Sequence, residues 1–167
     1  MSPSKLNATL LSTQLSLNGL TLHLRPLDES DLDTVHDIER AAHSHPWSRR
    51  LFADCLGSRQ CCQLICCDQT IVGYFVISAA AGDAELLNIT TTPKWQRRGI
   101  AQHVLTYLLA TLPKFADTLY LEVRESNLAA ICLYQNMGFA EVGIRPNYYP
   151  SHKGRENAVI MAYASLQ

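Results

Sequence analysis

Residues 88–102 read N-I-T-T-T-P-K-W-Q-R-R-G-I-A-Q. The stretch passes from the end of a strand, through a short loop holding Pro93, into a helix that opens at Arg98-Gly99. Within Gln96-Arg97-Arg98-Gly99-Ile100-Ala101, Gly99 and Ala101 offer little bulk where a ligand phosphate would approach the backbone. The helix that follows turns its first free N–H groups and the positive end of its dipole toward that loop, which suits a pyrophosphate. Many strand–loop–helix turns carry a glycine for geometry alone, so the loop by itself does not establish a ligand.

Downstream, Val104, Leu105, Leu108, Leu109 and Leu112 recur at helical spacing, and Pro113 lies just past the helix end. Residues 118–123 form an almost continuous apolar run, a strand central in its sheet. Ser126-Asn127 caps a helix carrying Ala130, Ile131, Leu133, Tyr134 and Met137, which Gly138 stops. A strand over 139–144, a loop over 145–157 rich in turn formers and a last strand over 158–163 complete this half.

Upstream lie a strand over 84–91 and a hairpin of 60–67 with 71–78, turned at Asp68-Gln69-Thr70. His45-Pro46-Trp47-Ser48 breaks a helix begun at Asp28 and lets Ser48 cap a short second one. The six acidic residues between Asp28 and Glu39 read as a solvated helix face. The first strand covers 20–25, and residues 1–18 read as a loosely ordered lead-in to a domain over 19–167. The order β-α-α-β-β-β-α-β-α-β-β predicts an α/β fold: a single mixed, mostly antiparallel sheet with helices on both faces.

A chain of 167 residues, 47% hydrophobic and 17% charged, supplies one domain's core. A net charge of −1 argues against nucleic acid or an anionic membrane as partner. No apolar run nears the roughly 20 residues of a spanning helix, and Ser, Thr and Asn interrupt the N-terminus too often for a signal peptide. A cytoplasmic monomer is expected. Four of six cysteines crowd into Cys61-Cys62-Gln63-Leu64-Ile65-Cys66-Cys67. Along a strand, Cys62 and Cys66 lie about 13 Å apart, too far for one zinc with bonds of roughly 2.3 Å. They read as small buried hydrophobes, and no metal is expected. The six histidines show no ligand spacing, and none is assigned to catalysis.

The loop at 96–101 resembles the acetyl-coenzyme A motif Q/R-x-x-G-x-G/A of the GNAT family of N-acetyltransferases, with Ala101 at the third small position. More specific strings resemble the family's RimI-type branch of ribosomal-protein-alanine N-acetyltransferases. They are His45-Pro46-Trp47-Ser48, Glu85-Leu86-Leu87-Asn88-Ile89, Leu121-Glu122-Val123-Arg124 with Ser126-Asn127, and Leu133-Tyr134 before Gly138-Phe139. Asn147-Tyr148-Tyr149-Pro150 and Gly154-Arg155-Glu156-Asn157-Ala158-Val159-Ile160-Met161 complete them, with Asn157 where the branch often carries Asp. The match runs from about residue 20 to the end.

Acetyl transfer from a thioester to an amine needs the amine deprotonated, the carbonyl oxygen stabilised, the leaving thiolate protonated and both substrates aligned. The resemblance implies Glu122 as general base, directly or through water, and Tyr134 as general acid toward the coenzyme A sulfur. On residue grounds, a carboxylate in the apolar run 119–123 needs a raised pKa or a specific partner, Arg124 or another cation. On periodicity alone Tyr134 equally fits a core edge. By the same resemblance the backbone of Ile89, Thr90 and Thr91 bonds the pantetheine arm, and Arg97, Arg98, Gly99, Ile100, Ala101 and Gln102 cradle the pyrophosphate. Asn127 contacts the cofactor while capping its helix. Trp47, Glu85, Tyr148 and Tyr149 orient the incoming acceptor, although the aromatic three also suit packing. The expected activity is transfer from acetyl-CoA to the N-terminal α-amine of a protein, most simply the alanine of a small-subunit ribosomal protein. A lysine side chain or a small amine is the alternative acceptor. A coenzyme A sensor without turnover is a third class, against which the Glu122–Tyr134 pair speaks.

Overall fold

The computed structural model describes residues 6, 9, 10, 12–58 and 60–165. Thr13–Leu17 (β1) and Leu20–Pro26 (β2) form a hairpin across Asn18-Gly19, both at positive φ, as tight hairpin turns require. A short turn at Glu29–Asp31 leads into α1, Leu32–Ala42, and Ser48 caps α2, Arg49–Cys55. Cys61–Cys67 (β3), Thr70–Ala80 (β4) and Asp83–Thr91 (β5) follow as a meander. Then come α3, Ile100–Thr111; β6, Thr118–Arg124; α4, Leu128–Asn136; β7, Ala140–Ser151; and β8, Gly154–Ala164.

The eight strands make one sheet in the order β1-β2-β3-β4-β5-β6-β8-β7, every pairing antiparallel except β5 with β6. Period-two alternation splits the sheet's side chains between two cores. Leu119, Leu121 and Val123 of β6 pack with Val104, Leu105 and Leu108 of α3, while Leu64, Tyr74 and Val76 pack with Val35 and Ile38 of α1. The expected α/β sandwich of helices on both faces is what forms. The cysteines divide accordingly, Cys61 and Cys67 on one side, Cys62 and Cys66 on the other, all free.

Three local expectations change. Residues 13–17, expected in a loosely ordered lead-in, are strand β1, because T-Q-L-S-L alternates and lays Leu15 and Leu17 on the core. Leu6 and Leu10 are buried there too, while residues 1–5, 7, 8 and 11 lie outside the described set. The supposed loop over 145–157 is mostly ladder: Tyr149 pairs with Glu156 and Ser151 with Gly154. Its turn-forming residues sit in an irregularity between Arg145 and Tyr149, with Asn147 at φ 52°, and in the tight turn at 152–153. The acidic face of α1 is not wholly solvated, since Asp31 and Glu39 are buried.

One irregularity positions the site. Leu86 pairs with Ile77 and Asn88 with Val76, so Leu87 is an extra residue in β5. A bulge bends its strand. Parallel pairing with β6 stops at Leu86↔Leu121, and beyond it the two strands part.

Candidate active site

The parting of β5 and β6 opens a cleft of about 160 Å3. Leu87, Asn88 and Ile89 line one side; Glu122, Val123 and Arg124 line the other; Asn127, Ala130 and Tyr134 of α4 line its end. Glu39, His43, His45 and Trp47 close it from the end of α1 and the loop after it, and Tyr149 from β7. Past Leu86 the β6-facing edge of β5 has no strand partner. An amide-bearing arm such as pantetheine can therefore bond to it as an added strand would.

Glu122 stands where the strands separate. Its carboxylate accepts a 2.6 Å hydrogen bond from Arg145, whose guanidinium lies 4.2 Å from the Tyr148 ring centre. That bond raises the Arg145 pKa above its ordinary value. The cation expected for a carboxylate in this apolar run is thus Arg145 on the neighbouring hairpin, not Arg124. Arg124 instead stacks on Tyr149 at 4.4 Å and donates to Glu156 at 2.7 Å. Tyr149 donates to the Glu122 carbonyl at 3.3 Å, and burial followed by the Glu122 charge pushes its phenol up to about 12.

Tyr134 is buried in the α3/α4 core and borders the cleft, and its hydroxyl makes no hydrogen bond among the described residues. Burial, then Tyr149, raises its phenol to about 12, so at neutral pH it holds its proton and can donate it. Asn127 caps α4 by accepting from the Ala130 N–H at 3.2 Å and reaches the cleft as well. Glu85 lies in an adjoining cavity of about 350 Å3 shared with Tyr120, Leu121 and Glu122. Burial first, then repulsion from Glu122, raises its pKa.

The fold thus brings Trp47, Ile89, Glu122, Asn127, Tyr134 and Tyr149 onto one cleft, with Glu85 next door. Tyr148 does not line it, but packs edge-on against Tyr149 at 4.9 Å and lies under Arg145. Thr90 and Thr91 are buried and do not line this cleft, and neither do residues 97–102. The loop nevertheless has the expected form. Arg97 and Gly99 sit at φ 57° and 81°, Arg98 stacks on Trp95 at 4.6 Å, and Gln96 ties back to the Thr91 carbonyl at 3.1 Å. Among the described residues the backbone N–H groups of residues 97–102 find no partner, and the His103 N–H is the first to close the helix, onto Gly99 at 2.9 Å. The Ile100 side chain is buried in the core, so at this position the backbone faces any ligand. No three His, Cys, Asp or Glu side chains among the described residues are placed to hold a metal.

Residues missed from sequence are Arg145, His43, Tyr74 and Glu39. Arg145 meets Glu122 across a hairpin that reads as loop. Glu39 did carry a signal, because 32, 35 and 39 share one helix face.

A split sheet with a carboxylate and a phenol at the split, and a nearby loop of unpaired backbone N–H groups, suits the transfer of an activated acyl group, and this chain belongs to the acetyltransferase (GNAT) family, whose profile matches residues 32–139. It is an acetyl-CoA-dependent N-acetyltransferase. The [ribosomal protein bS18]-alanine N-acetyltransferase of Escherichia coli (strain K12) is 40% identical over 137 residues, spanning 81% of this chain and 93% of that one. The enzyme of the same description from Haemophilus influenzae is 38% identical over 138 residues, 81% and 94% of the two chains. The crystal structure of the E. coli ribosomal-protein-S18-alanine N-acetyltransferase superposes with a TM-score of 0.81 at 37% identity, covering 87% of this chain and 95% of that.

Proposed function

We propose that the protein transfers the acetyl group of acetyl-CoA to the N-terminal α-amine of a protein, the alanine of a small-subunit ribosomal protein of the bS18 kind. The observation that carries this is Glu122 at the mouth of the β5/β6 split, flanked by an open groove and by the aromatic residues of the 147–150 region, with Tyr134 at its far wall. In this reading Glu122 accepts a proton from the amine, directly or through water. Backbone N–H groups near Ile89 hold the thioester oxygen, Tyr134 protonates the departing sulfur, and residues 97–102 with Asn127 hold the cofactor. Trp47, Glu85, Tyr148 and Tyr149 orient the acceptor. The enzyme works in the cytoplasm as a monomer on a protein partner.

Proton affinity favours this acceptor over lysine. An α-amine has a pKa near 7.7–8.0 and a lysine near 10.4, so at pH 7 neutralising them costs about 1 and about 4.6 kcal/mol. The test is incubation with acetyl-CoA and a peptide panel, the acetylated positions being mapped by mass spectrometry. A peptide with a free N-terminal Ala is acetylated at least ~10²-fold more efficiently than its N-blocked, Lys-containing analogue, from a difference of roughly 3 kcal/mol. Equal rates overturn the reading in favour of the lysine alternative.

A further inference from the structure

Behind the cleft, the Glu39 carboxylate is only 2% exposed. The Tyr74 hydroxyl and the Trp47 N–H (2.9 Å) donate to it, and the Asn88 amide lies 3.5 Å away. The same amide donates to the Tyr74 oxygen at 3.1 Å, while Asn88 Oδ1 accepts from the Thr90 hydroxyl at 2.9 Å. Thr90 has a single hydroxyl hydrogen, and it is committed to Asn88. Toward His43 Nε2, 2.8 Å away, Thr90 Oγ1 can therefore only accept. In a neutral ring this pattern calls for the proton on Nε2, which also lies 3.4 Å from Glu39 Oε2. Nδ1 then carries the lone pair, and it has no partner among the described residues. The ring is 41% exposed and lines the same cleft as Glu122 and Tyr134.

The reaction has work for a second base. An ammonium that becomes an amide loses two protons from nitrogen, one before its lone pair can attack and one from the tetrahedral adduct. Glu122 already shares its charge with Arg145 at 2.6 Å.

We propose that His43 is a second proton acceptor of the acetyl transfer, its free Nδ1 aimed at the incoming amine by the chain Thr90–Asn88–Tyr74–Glu39. This rests on the reading of the cleft as an N-acetyltransferase site. One ammonium N–H bond breaks as Nδ1–H forms, and the nitrogen lone pair then bonds to the thioester carbon. Glu122 takes the second nitrogen proton. The C–S bond breaks with its electron pair on sulfur, and sulfur takes the Tyr134 proton. Imidazolium and carboxylic acid return their protons to solvent and the phenolate regains one, so one proton is released overall. Buried Glu39, 3.4 Å away, stabilises the imidazolium as it forms.

Glu39 of α1 and Tyr74 of β4 face the ring from behind. His45 of the same loop, Glu122 and Arg124 of β6, Tyr134 of α4 and Tyr149 of β7 share its cleft.

The test is His43→Gln, whose amide can still donate to Thr90 but cannot accept the proton. With whichever amine of the peptide panel the wild type acetylates, kcat/KM at pH 7 falls about 10- to 100-fold. The dissociation constant for acetyl-CoA stays within about twofold, and the rise of rate with pH that an imidazole base imposes on the acid side is lost. Tyr74→Phe, which cuts the chain further back but keeps the imidazole, gives a smaller loss and leaves the acid-side rise in place. A His43→Gln rate within about threefold of wild type, with an unchanged profile, overturns the proposal. Nitrogen-15 NMR of the ring gives a readout independent of turnover: the Nε2–H tautomer is expected, and the Nδ1–H tautomer refutes it. If the wild type prefers a lysine or a small amine, the N-terminal reading fails while the role of His43 is still decided on that substrate.

Discussion

Tyr134 has one polar atom, and it borders the cleft with a proton that burial and Tyr149 hold up to a pKa of about 12. Tyr134→Phe keeps the ring in the core beside Phe139 and removes only the donor. The expected result is a kcat lower by roughly 10²-fold with cofactor binding and melting temperature retained. Steady-state kinetics beside a binding titration check it, and unchanged turnover would return Tyr134 to packing. Glu122 and Tyr134 could be singled out from sequence because each sits in a short, specific string, and the structure places both on one cleft. Arg145 was not, since its 2.6 Å bond to Glu122 joins residues that only the β7/β8 hairpin brings together. His43 was hidden for a similar reason: its tautomer depends on four side chains from α1, β4 and β5, and no local pattern encodes that.

At the scale of elements, the start of α1 is fastened by Asp31. Its carboxylate accepts from Arg25 at 2.7 and 2.8 Å and from the Asp28 N–H at 3.0 Å, and the Arg25 hydrogen bonds, chiefly, hold its pKa below the ordinary carboxylate value. A depressed carboxyl stabilises the fold above its unfolded pKa of about 3.9, and that stabilisation is lost as pH falls through the lower folded value. Asp31→Asn is expected to cost about 1.5 kcal/mol at pH 7, the low end for hydrogen bonds to a charged group. Urea unfolding should show the gap to wild type narrowing below about pH 4; a constant gap would mean that the charge contributes nothing. In the core, β3 buries Gln63, whose Oε1 has no partner among the described residues and whose amide meets Cys61 sulfur at 3.3 Å. Gln63→Leu removes that unpaired acceptor and should raise stability by about 1 kcal/mol, visible as a higher urea midpoint at constant m. Among the described residues, the four α-helices and six of the strands were readable within a few residues. The β7/β8 ladder was obscured because Asn147, Pro150 and Gly154, turn formers by propensity, sit in a bulge, an edge strand and a tight turn.

For the whole molecule, β1 shows how polar residues can mislead, since Gln14 and Ser16 alternate with Leu15 and Leu17, which reach the core. The N-terminal stretch also approaches the phosphate loop. Thr13 bonds to the Tyr107 hydroxyl of α3 at 3.2 Å, and a Cβ placed on Gly99 would lie 4.0 Å from Leu17. The proposed cofactor loop and its helix thus contact β1, and the energy of binding acetyl-CoA should appear in global stability. At 100 times its dissociation constant acetyl-CoA adds about 2.7 kcal/mol. At roughly 2–4 °C per kcal/mol for a domain of this size, that is about 5–11 °C in Tm. Gly99→Trp separates strain from binding. At φ 81° any side chain is strained, so the unliganded Tm should fall somewhat, but a Cβ there meets only Leu17, at an ordinary 4.0 Å contact. What the indole obstructs is the approach of the pyrophosphate to the free N–H groups of residues 97–102. The liganded increment, measured as the difference between melts with and without millimolar acetyl-CoA, should vanish in the variant and persist in wild type. A full increment in Gly99→Trp would place the pyrophosphate elsewhere on the molecule.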